Sequence, residues 1–296
     1  MTVRKPRPGR ANWILAGLIA AFGLAAFCYT VSSGRADSAL LFVVLPALLA
    51  AALALTPGRT THGRVFRLTT IALLLAAVAL HEGAICVLIA SPLVYAVAHG
   101  TAAVIRLARQ GGARTLAILP LPLLLAGGIE GTSPDLRFQP DQSVEVSRVV
   151  ALEPAAVHER LAAGPRPVAV DPLLLRLLSA PAPEHVMGAG LEPGDRWMFG
   201  YHGSSHGSGG AIVTQVRAAG PQHIDFDVVS DDTITARWLR WRGASVRWQA
   251  AGAGRTEVTV VLSYQRRLDP SWYFGPIQDR LMHAGGEHVL DMLALP

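Results

Sequence analysis

A chain of 296 residues in which 51% are hydrophobic and only 16% are charged is too apolar for an ordinary soluble protein. Its net charge of +5 is uneven, because residues 1–130 hold eleven basic and three acidic side chains and the remainder holds fifteen and eighteen. The basic residues separate apolar runs and form no polar basic face, so a nucleic-acid-binding protein is excluded.

Two long uncharged segments, residues 13–33 and 39–56, come first. About 20 apolar residues span the hydrocarbon core of a bilayer, so both segments are predicted to be transmembrane helices. A cleaved secretory signal is the alternative interpretation of the first segment, because the basic stretch RKPRPGR precedes it. Further apolar runs favour a multispan membrane region over residues 1–130.

The following apolar runs leave the number of crossings open between four and five. Residues 68–80 and 83–105 are separated by His81 and Glu82, and residues 115–128 form a short run with two prolines. An interfacial turn at His81 and Glu82 gives five crossings, whereas one helix through Glu82 gives four and a carboxylate at membrane depth. The positions of the arginine clusters favour five, which places the clusters in the cytoplasm and the C-terminal half outside the cell membrane.

Four residues of this region have a chemical interpretation of their own. His81 and Glu82 fit either a proton or substrate path within the membrane or a polar helix end near the headgroups. Cys28 and Cys86 lie in apolar segments, which predicts small packing residues and no disulfide.

After a polar linker over residues 131–142, the pattern changes from apolar runs to alternation, and residues 143–296 are predicted to form a separate domain. Residues 143–152 alternate as a half-buried strand does. Residues 153–163 predict a helix with a proline near its first position, and residues 170–179 a second short helical piece.

Six further strands and a long terminal helix are predicted from residue 195 onward. The strands are joined by Gly-rich or Asp-rich turns at hairpin spacing, and they cover residues 195–203, 211–220, 223–232, 234–241, 244–252 and 256–268. The helix over residues 268–295 has one apolar stripe, formed by Ile277, Leu281, Ala284, His288 and Met292.

These elements predict an α+β helix-grip domain, a curved antiparallel sheet of about seven strands around the terminal helix, with an apolar cavity between them. Four segments of this domain carry a resemblance to a known superfamily. They are VEVSRVVALEPAAVHERLA, GLEPGDRWMFG, WRGASVRWQAAGAGRTEVTVVLSY and LDPSWYFGPIQDRL. From about residue 144 to 295 the chain resembles the START-like (SRPBCC) superfamily of polyketide cyclase/dehydrase and lipid-transport proteins. The resemblance implies a hydrophobic small-molecule ligand.

Strand alternation predicts which side chains line the cavity, and apolar cavities with a few polar groups bind hydrophobic small molecules. The predicted ligand-binding residues are Trp197, Phe199, Tyr201, Phe226, Trp238, Trp248, Leu262, Tyr264, Leu281 and His288. The alternative is that these aromatic rings fill a small core. Gly285 and Gly286, in the middle of the helix, each cost about 1 kcal/mol relative to alanine, which predicts either close packing on the sheet or room for a ligand.

The stretch GYHGSSHGSGG, residues 200–210, is predicted to be a hairpin connection, with glycines that supply turn conformations. A glycine-rich rim of the cavity is the alternative interpretation. His202 and His206 do not complete a zinc site, which needs three or four ligands. Only His223 with Asp225 or Asp227 could add to them through folding. The sequence therefore predicts no metal and no cofactor.

No catalytic motif is present, and Tyr201, Tyr264 and His288 are the only acid–base candidates on the predicted inner surface. The main hypothesis is a membrane-anchored binding or transport protein for a lipid, isoprenoid or polyketide-like ligand. A cyclase or dehydrase acting on a membrane-soluble substrate is the second hypothesis, and a filled domain that binds protein partners through its surface is the third.

Overall fold

The computed structural model describes residues 8–32, 43–56, 60–79, 84–109, 129–171, 173, 175, 183–201 and 209–295. The chain forms two compact units, with the boundary between them near residue 127. Each unit is described by itself below.

The N-terminal unit consists of helices α1 (Arg10–Ser32), α2 (Leu45–Leu55), α3 (Thr61–Ala79) and α4 (Ala84–Arg109), as far as the described residues show. Three stretches, within α1, α3 and α4, are long and apolar enough to cross a membrane by length and composition. The second predicted crossing is represented by α2, which has only 11 residues in the described part.

Consecutive helices of this unit pack against each other. A Cβ atom on Gly23 of α1 would lie 2.6 Å from the Cβ of Ala47 in α2, so glycine is needed for this close approach. Between α3 and α4, Phe66 stacks on Tyr95, and the ring nitrogens of His62 and His99 lie 3.2 Å apart.

These contacts pair the first part of α3 with the middle of α4, and the partner number falls from His99 to Tyr95 as the α3 number rises from His62 to Phe66, so the two helices are antiparallel. A single helix running through Glu82 would not bring Phe66 and Tyr95 together. His81, Glu82 and the run 115–128 lie outside the described residues, and the number of crossings stays a prediction.

The C-terminal unit is a seven-stranded sheet packed on a long helix. The strands are β1 (Asp141–Val150), β2 (His185–Met187), β3 (Arg196–Tyr201), β4 (Gly210–Gly220), β5 (His223–Asp231), β6 (Leu239–Ala250) and β7 (Thr256–Arg266). Their order is β1-β7-β6-β5-β4-β3-β2, and all neighbours are antiparallel. Helix α5 (Pro154–Ala162) follows β1, and α6 (Ser271–Met292) closes the domain.

The predicted number of strands agrees with the described sheet, but the strand predicted over residues 234–241 was wrong in its first half, and its separation from the strand predicted over residues 244–252 was also wrong. Residues Ile234–Arg237 form a 3-10 helix, whose first turn is capped by the Thr233 hydroxyl accepting from the Thr235 amide. The predicted strand 244–252 belongs to β6, which is continuous from Leu239. The short β2 was missed, because three residues show no alternation. The predicted helical piece 170–179 lies largely outside the described residues.

Helix α6 packs on β1 and β7. Of the predicted stripe, Ala284, His288 and Met292 are buried, whereas Ile277 and Leu281 are half-buried. The closest approach to the sheet is at Gly286, where a Cβ would lie 2.7 Å from Cγ2 of Val146. Because the helix comes this near to β1, it also buries a second row of residues, which comprises Gln278, Met282, Gly286 and Leu290.

The predicted linker is attached to the domain by a buried ion cluster. Arg266, with 2% of its side chain exposed, lies 3.1 Å from the Glu130 carboxylate and 3.4 Å from Asp269. Arg266 also donates to the carbonyl of Phe138 at 2.9 Å. The Ser271 amide, at the start of α6, donates to Glu130 at 2.9 Å. This set of residues is called the junction cluster below.

The junction cluster predicts an acid sensitivity. Burial acts to raise the pKa of Glu130, but hydrogen bonds from Ser271, Arg266 and Phe138 outweigh it and lower this pKa below the ordinary 4.5. A lowered folded-state pKa contributes stability that is present above the unfolded value and is lost as the pH falls through the folded one. We expect Glu130→Gln to flatten the dependence of the unfolding free energy on pH below about 4.5, as measured by urea unfolding.

Candidate functional site

Strand register places the predicted inner residues of β3, β5, β6 and β7 on one face of the sheet. Residues directly opposite each other in neighbouring antiparallel strands point to the same side of a sheet. Trp241 of β6 lies opposite Tyr264 of β7, and Leu262 of β7 lies opposite Val144 of β1. Six of the ten predicted lining residues are buried, namely Trp197, Phe226, Trp248, Leu262, Tyr264 and His288. The other four, Phe199, Tyr201, Trp238 and Leu281, are half-buried.

An irregularity in β6 allows two of its tryptophans to share the inner face. Trp241 and Trp248 are an odd number of residues apart, so an unbroken strand would point them to opposite sides. The register shifts between Trp241 and Gly243, and Gly243 has φ 154°, a value that favours glycine. A Cβ there would lie 2.9 Å from the carbonyl oxygen of Phe226. The bulge therefore requires glycine and turns both indoles inward.

Trp238 lies outside the sheet, after the 3-10 helix. Its carbonyl oxygen accepts a hydrogen bond from the side-chain amide of Gln278 at 3.2 Å. This contact connects the segment between β5 and β6 to α6, near the beginning of the helix.

Asp231 at the end of β5 organises a polar cluster that the sequence did not predict. One carboxylate oxygen accepts from the amide and the hydroxyl of Thr233, at 2.9 and 2.6 Å. The other accepts from the Thr235 hydroxyl at 2.8 Å and from the Trp241 indole at 3.1 Å. The sequence predicted only an Asp-rich turn between two strands at this position. The D-x-T-x-T spacing was the available signal, because such hydroxyls cap a short turn.

Tyr201 and Tyr264 are held as neutral phenols. Burial raises the pKa of Tyr201 far above its usual range, and the negative charge of Asp231 adds to the shift. Burial raises the pKa of Tyr264 to about 12, Asp279 adds to this, and Arg266 opposes it. Neither hydroxyl forms a hydrogen bond with another residue in the part of the chain that the structure describes. Both therefore suit donation to a ligand oxygen, and neither suits a general base.

His288 is the least satisfied polar group of the inner face. Only 6% of it is exposed, and neither ring nitrogen has a hydrogen-bond partner among the described residues. Burial lowers the pKa of His288, while Asp291 opposes the shift, so the ring is neutral at pH 7. The Asp291 carboxylate forms an ion pair with Arg148, whose Nη1 lies 2.6 Å from Oδ1.

Open space lies beside His288. Gly285 precedes it by three residues, which places both on one side of α6. A Cβ on Gly285 would meet no atom of the described residues within 4 Å, whereas one on Gly286 would meet the sheet. The two glycines thus show the two predicted alternatives, close packing at one and room at the other.

The described residues contain no cluster of side chains that could bind a metal ion. No set of three His, Cys, Asp or Glu side chains occurs there that could hold an ion. Asp225 and Asp227 face Arg217 at 3.4 and 3.9 Å. His202 and His206 lie outside the described residues.

No protein-family model matches the chain, and no curated protein matches it. Solved structures resemble about half of it. A protein from Chromobacterium violaceum shows 17% identity and a TM-score of 0.33, over 51% of this chain and 94% of that one. Ginseng major latex-like protein 151 from Panax ginseng shows 14% and 0.29, over 51% and 99%.

Truncated norcoclaurine synthase from Thalictrum flavum shows 10% identity and a TM-score of 0.36, over 52% of this chain and 91% of that one. These values are too low to carry an argument about activity. The chain's own sheet order and terminal helix are those of a helix-grip domain.

Proposed function

We propose that this protein is a membrane-anchored START-like protein that binds or carries a hydrophobic small molecule between the curved sheet and α6. The ligand classes that suit it are lipids, isoprenoids and polyketide-like molecules. The observation that carries the proposal is the buried imidazole of His288, which lacks a partner among the described residues and has open space at Gly285 beside it.

The energetic cost of an unpaired buried imidazole supports a ligand as the hydrogen-bond partner of His288. A buried polar group without a hydrogen bond costs about 1–3 kcal/mol, and the large majority of such groups in folded proteins are paired. The residues around the inner face are mostly apolar. A ligand oxygen or hydroxyl beside Gly285 would pair the ring and remove this cost.

Two tyrosine hydroxyls are further groups with which a ligand could form hydrogen bonds. Tyr264 and Tyr201 are protonated donors on the inner face. The carboxylate of Asp231, which accepts from Trp241, places a negative charge among them. A ligand with neutral oxygen functions on an apolar skeleton fits this arrangement better than an anionic one.

Attachment to the membrane gives the domain a supply of such ligands. Three helices of the N-terminal unit have the length and composition of membrane spans. Anchoring in the cell membrane places an apolar site beside the reservoir from which lipid-soluble molecules enter. With five crossings, the domain faces the extracytoplasmic side.

The proposal is tested by native mass spectrometry of the full chain released from detergent, with extraction and identification of bound molecules. We expect one hydrophobic molecule per chain. A chain that carries none, and that also takes up no NBD-labelled phosphatidylcholine, would contradict the proposal and favour a filled domain.

Replacing His288 by leucine is expected to reduce the amount of retained molecule about tenfold, because one buried hydrogen bond of about 1–3 kcal/mol is lost. The stability of the unliganded domain is expected to stay the same or to rise, since no unpaired polar group remains. Quantitative extraction from equal amounts of protein measures the effect.

The matched control is His283→Leu on the same helix. His283 is 49% exposed and contacts Asp279, so its loss should leave retention unchanged. Equal losses in both variants would show that His288 has no specific contact with the ligand.

A further inference from the structure

Exposed apolar side chains surround the junction cluster. Phe138 is 67% exposed, Trp272 63%, Ile129 52% and Leu136 50%. These four residues are called the junction patch. Phe138 and Trp272 carry the only exposed aromatic rings in the part of the C-terminal domain that the structure describes.

Hydrogen bonds of the junction cluster hold these residues near one another. The Glu130 carboxylate accepts from the backbone amide of Phe138 at 3.3 Å and from that of Ser271, the residue before Trp272, at 2.9 Å. Ile129 directly precedes Glu130. Leu136 ends a short 3-10 helix, Pro134–Leu136. The next residue, Arg137, donates to Asp269 at 2.9 Å. The patch is therefore fixed in position by buried charges.

Chain continuity indicates what covers the patch. Ile129 follows directly on the apolar run 115–128, which the sequence predicts to be a membrane segment. Tryptophan and phenylalanine with nearby arginine are typical of the boundary between headgroups and acyl chains. Arg267, the exposed residue after Arg266, donates one guanidinium N–H to the Ala236 carbonyl at 2.8 Å, and its further N–H groups suit lipid phosphates.

We propose that the junction patch inserts into the headgroup–acyl boundary of the bilayer and holds the helix-grip domain against the membrane surface. The junction cluster then has a role beyond stability. It presents Trp272 and Phe138 together at the place where the chain leaves the membrane region. This inference does not depend on whether the domain binds a ligand.

The test uses the full chain with Cys28 and Cys86 replaced by serine and one new cysteine that carries the fluorophore NBD. Phe138→Cys and Trp272→Cys place the label in the patch. Met187→Cys and Val229→Cys are controls, because these residues are apolar and exposed, at 58% and 50%, but lie elsewhere on the domain. Each protein is reconstituted into phosphatidylcholine vesicles, with and without bromine on the acyl chains near the headgroup.

We expect the patch labels to show blue-shifted emission and to lose most of their fluorescence in brominated vesicles. The control labels should be quenched by aqueous iodide instead. Patch labels that iodide quenches as strongly as the controls would overturn the proposal. Shielding from both iodide and bromine would also overturn it, in favour of a protein partner or a second copy. A label at Leu136→Cys repeats the test if either aromatic substitution disturbs the fold, as judged by near-ultraviolet circular dichroism.

Discussion

Replacing Arg266 by alanine is expected to lower the free energy of unfolding of the C-terminal domain by about 3–5 kcal/mol, the usual cost of removing one partner from a buried ion pair. The guanidinium, with 2% of its side chain exposed, contacts Glu130 and Asp269, of which 11% and 13% are exposed. Alanine would leave both carboxylates without this partner and the Phe138 carbonyl without its donor. The segment before β1 would then keep the Arg137–Asp269 ion pair but lose every contact made by the buried guanidinium.

The matched control is Arg242→Ala. Arg242 forms an ion pair with Asp141 at 3.1 Å, but 46% and 65% of these side chains are exposed. Exposed pairs contribute about 0–1 kcal/mol. Urea unfolding of the full chain in detergent, followed by the near-ultraviolet circular dichroism of the buried tryptophans, measures both variants. Equal losses would show that the junction cluster is no more important than a surface pair.

This comparison also shows where prediction from sequence ends. Alternation places Arg266 on the same buried side of β7 as Tyr264 and Arg267 on the other side, but it does not identify the carboxylates that a buried arginine needs. The partners are Glu130, which precedes the predicted linker, and Asp269, which follows the sheet. Contacts between residues so far apart in the chain depend on the strand order, because β1 pairs with the last strand, β7.

The helix-grip architecture itself was predictable, because alternation in β1, β4, β5 and β7 and the apolar face of α6 are local patterns. Departures from a regular strand were not. The run ITARWLRW alternates as a strand does, yet its first four residues form a 3-10 helix, capped by Thr233 next to Asp231. The bulge at Gly243 then changes which residues of β6 point inward.

The site was predictable in its apolar residues and less so in its polar ones. Alternation placed Trp197, Phe226 and Tyr264 on the inner face, because side-chain direction in a strand has a period of two. The Asp231 cluster was not foreseen, since register shifts in β4 and β5 bring it opposite Ile212. Which of two neighbouring glycines touches the sheet likewise depends on the rotation of α6, and only the packed structure gives it.

Gly285 and Gly286 therefore provide the second large effect, a difference of about 1–4 kcal/mol between two neighbouring Gly→Ala variants. Gly285→Ala should raise the free energy of unfolding by up to about 1 kcal/mol, because alanine favours the helix and its Cβ would meet none of the described residues within 4 Å. Gly286→Ala should lower it by about 1–3 kcal/mol, because its Cβ would lie 2.7 Å from Cγ2 of Val146.

Val146→Ala identifies the cause, since it removes the methyl group that the new Cβ would meet. In the double variant with Gly286→Ala, we expect part of the loss to be recovered, with a coupling of about 0.5–3 kcal/mol between the two positions. Urea unfolding of the four variants and the parent measures both quantities. Equal effects at the two glycines, or strict additivity with Val146→Ala, would contradict the close approach of α6 to β1. That approach also sets how much space remains between the helix and the rest of the sheet, so the same variants measured for retained ligand would connect helix position with binding.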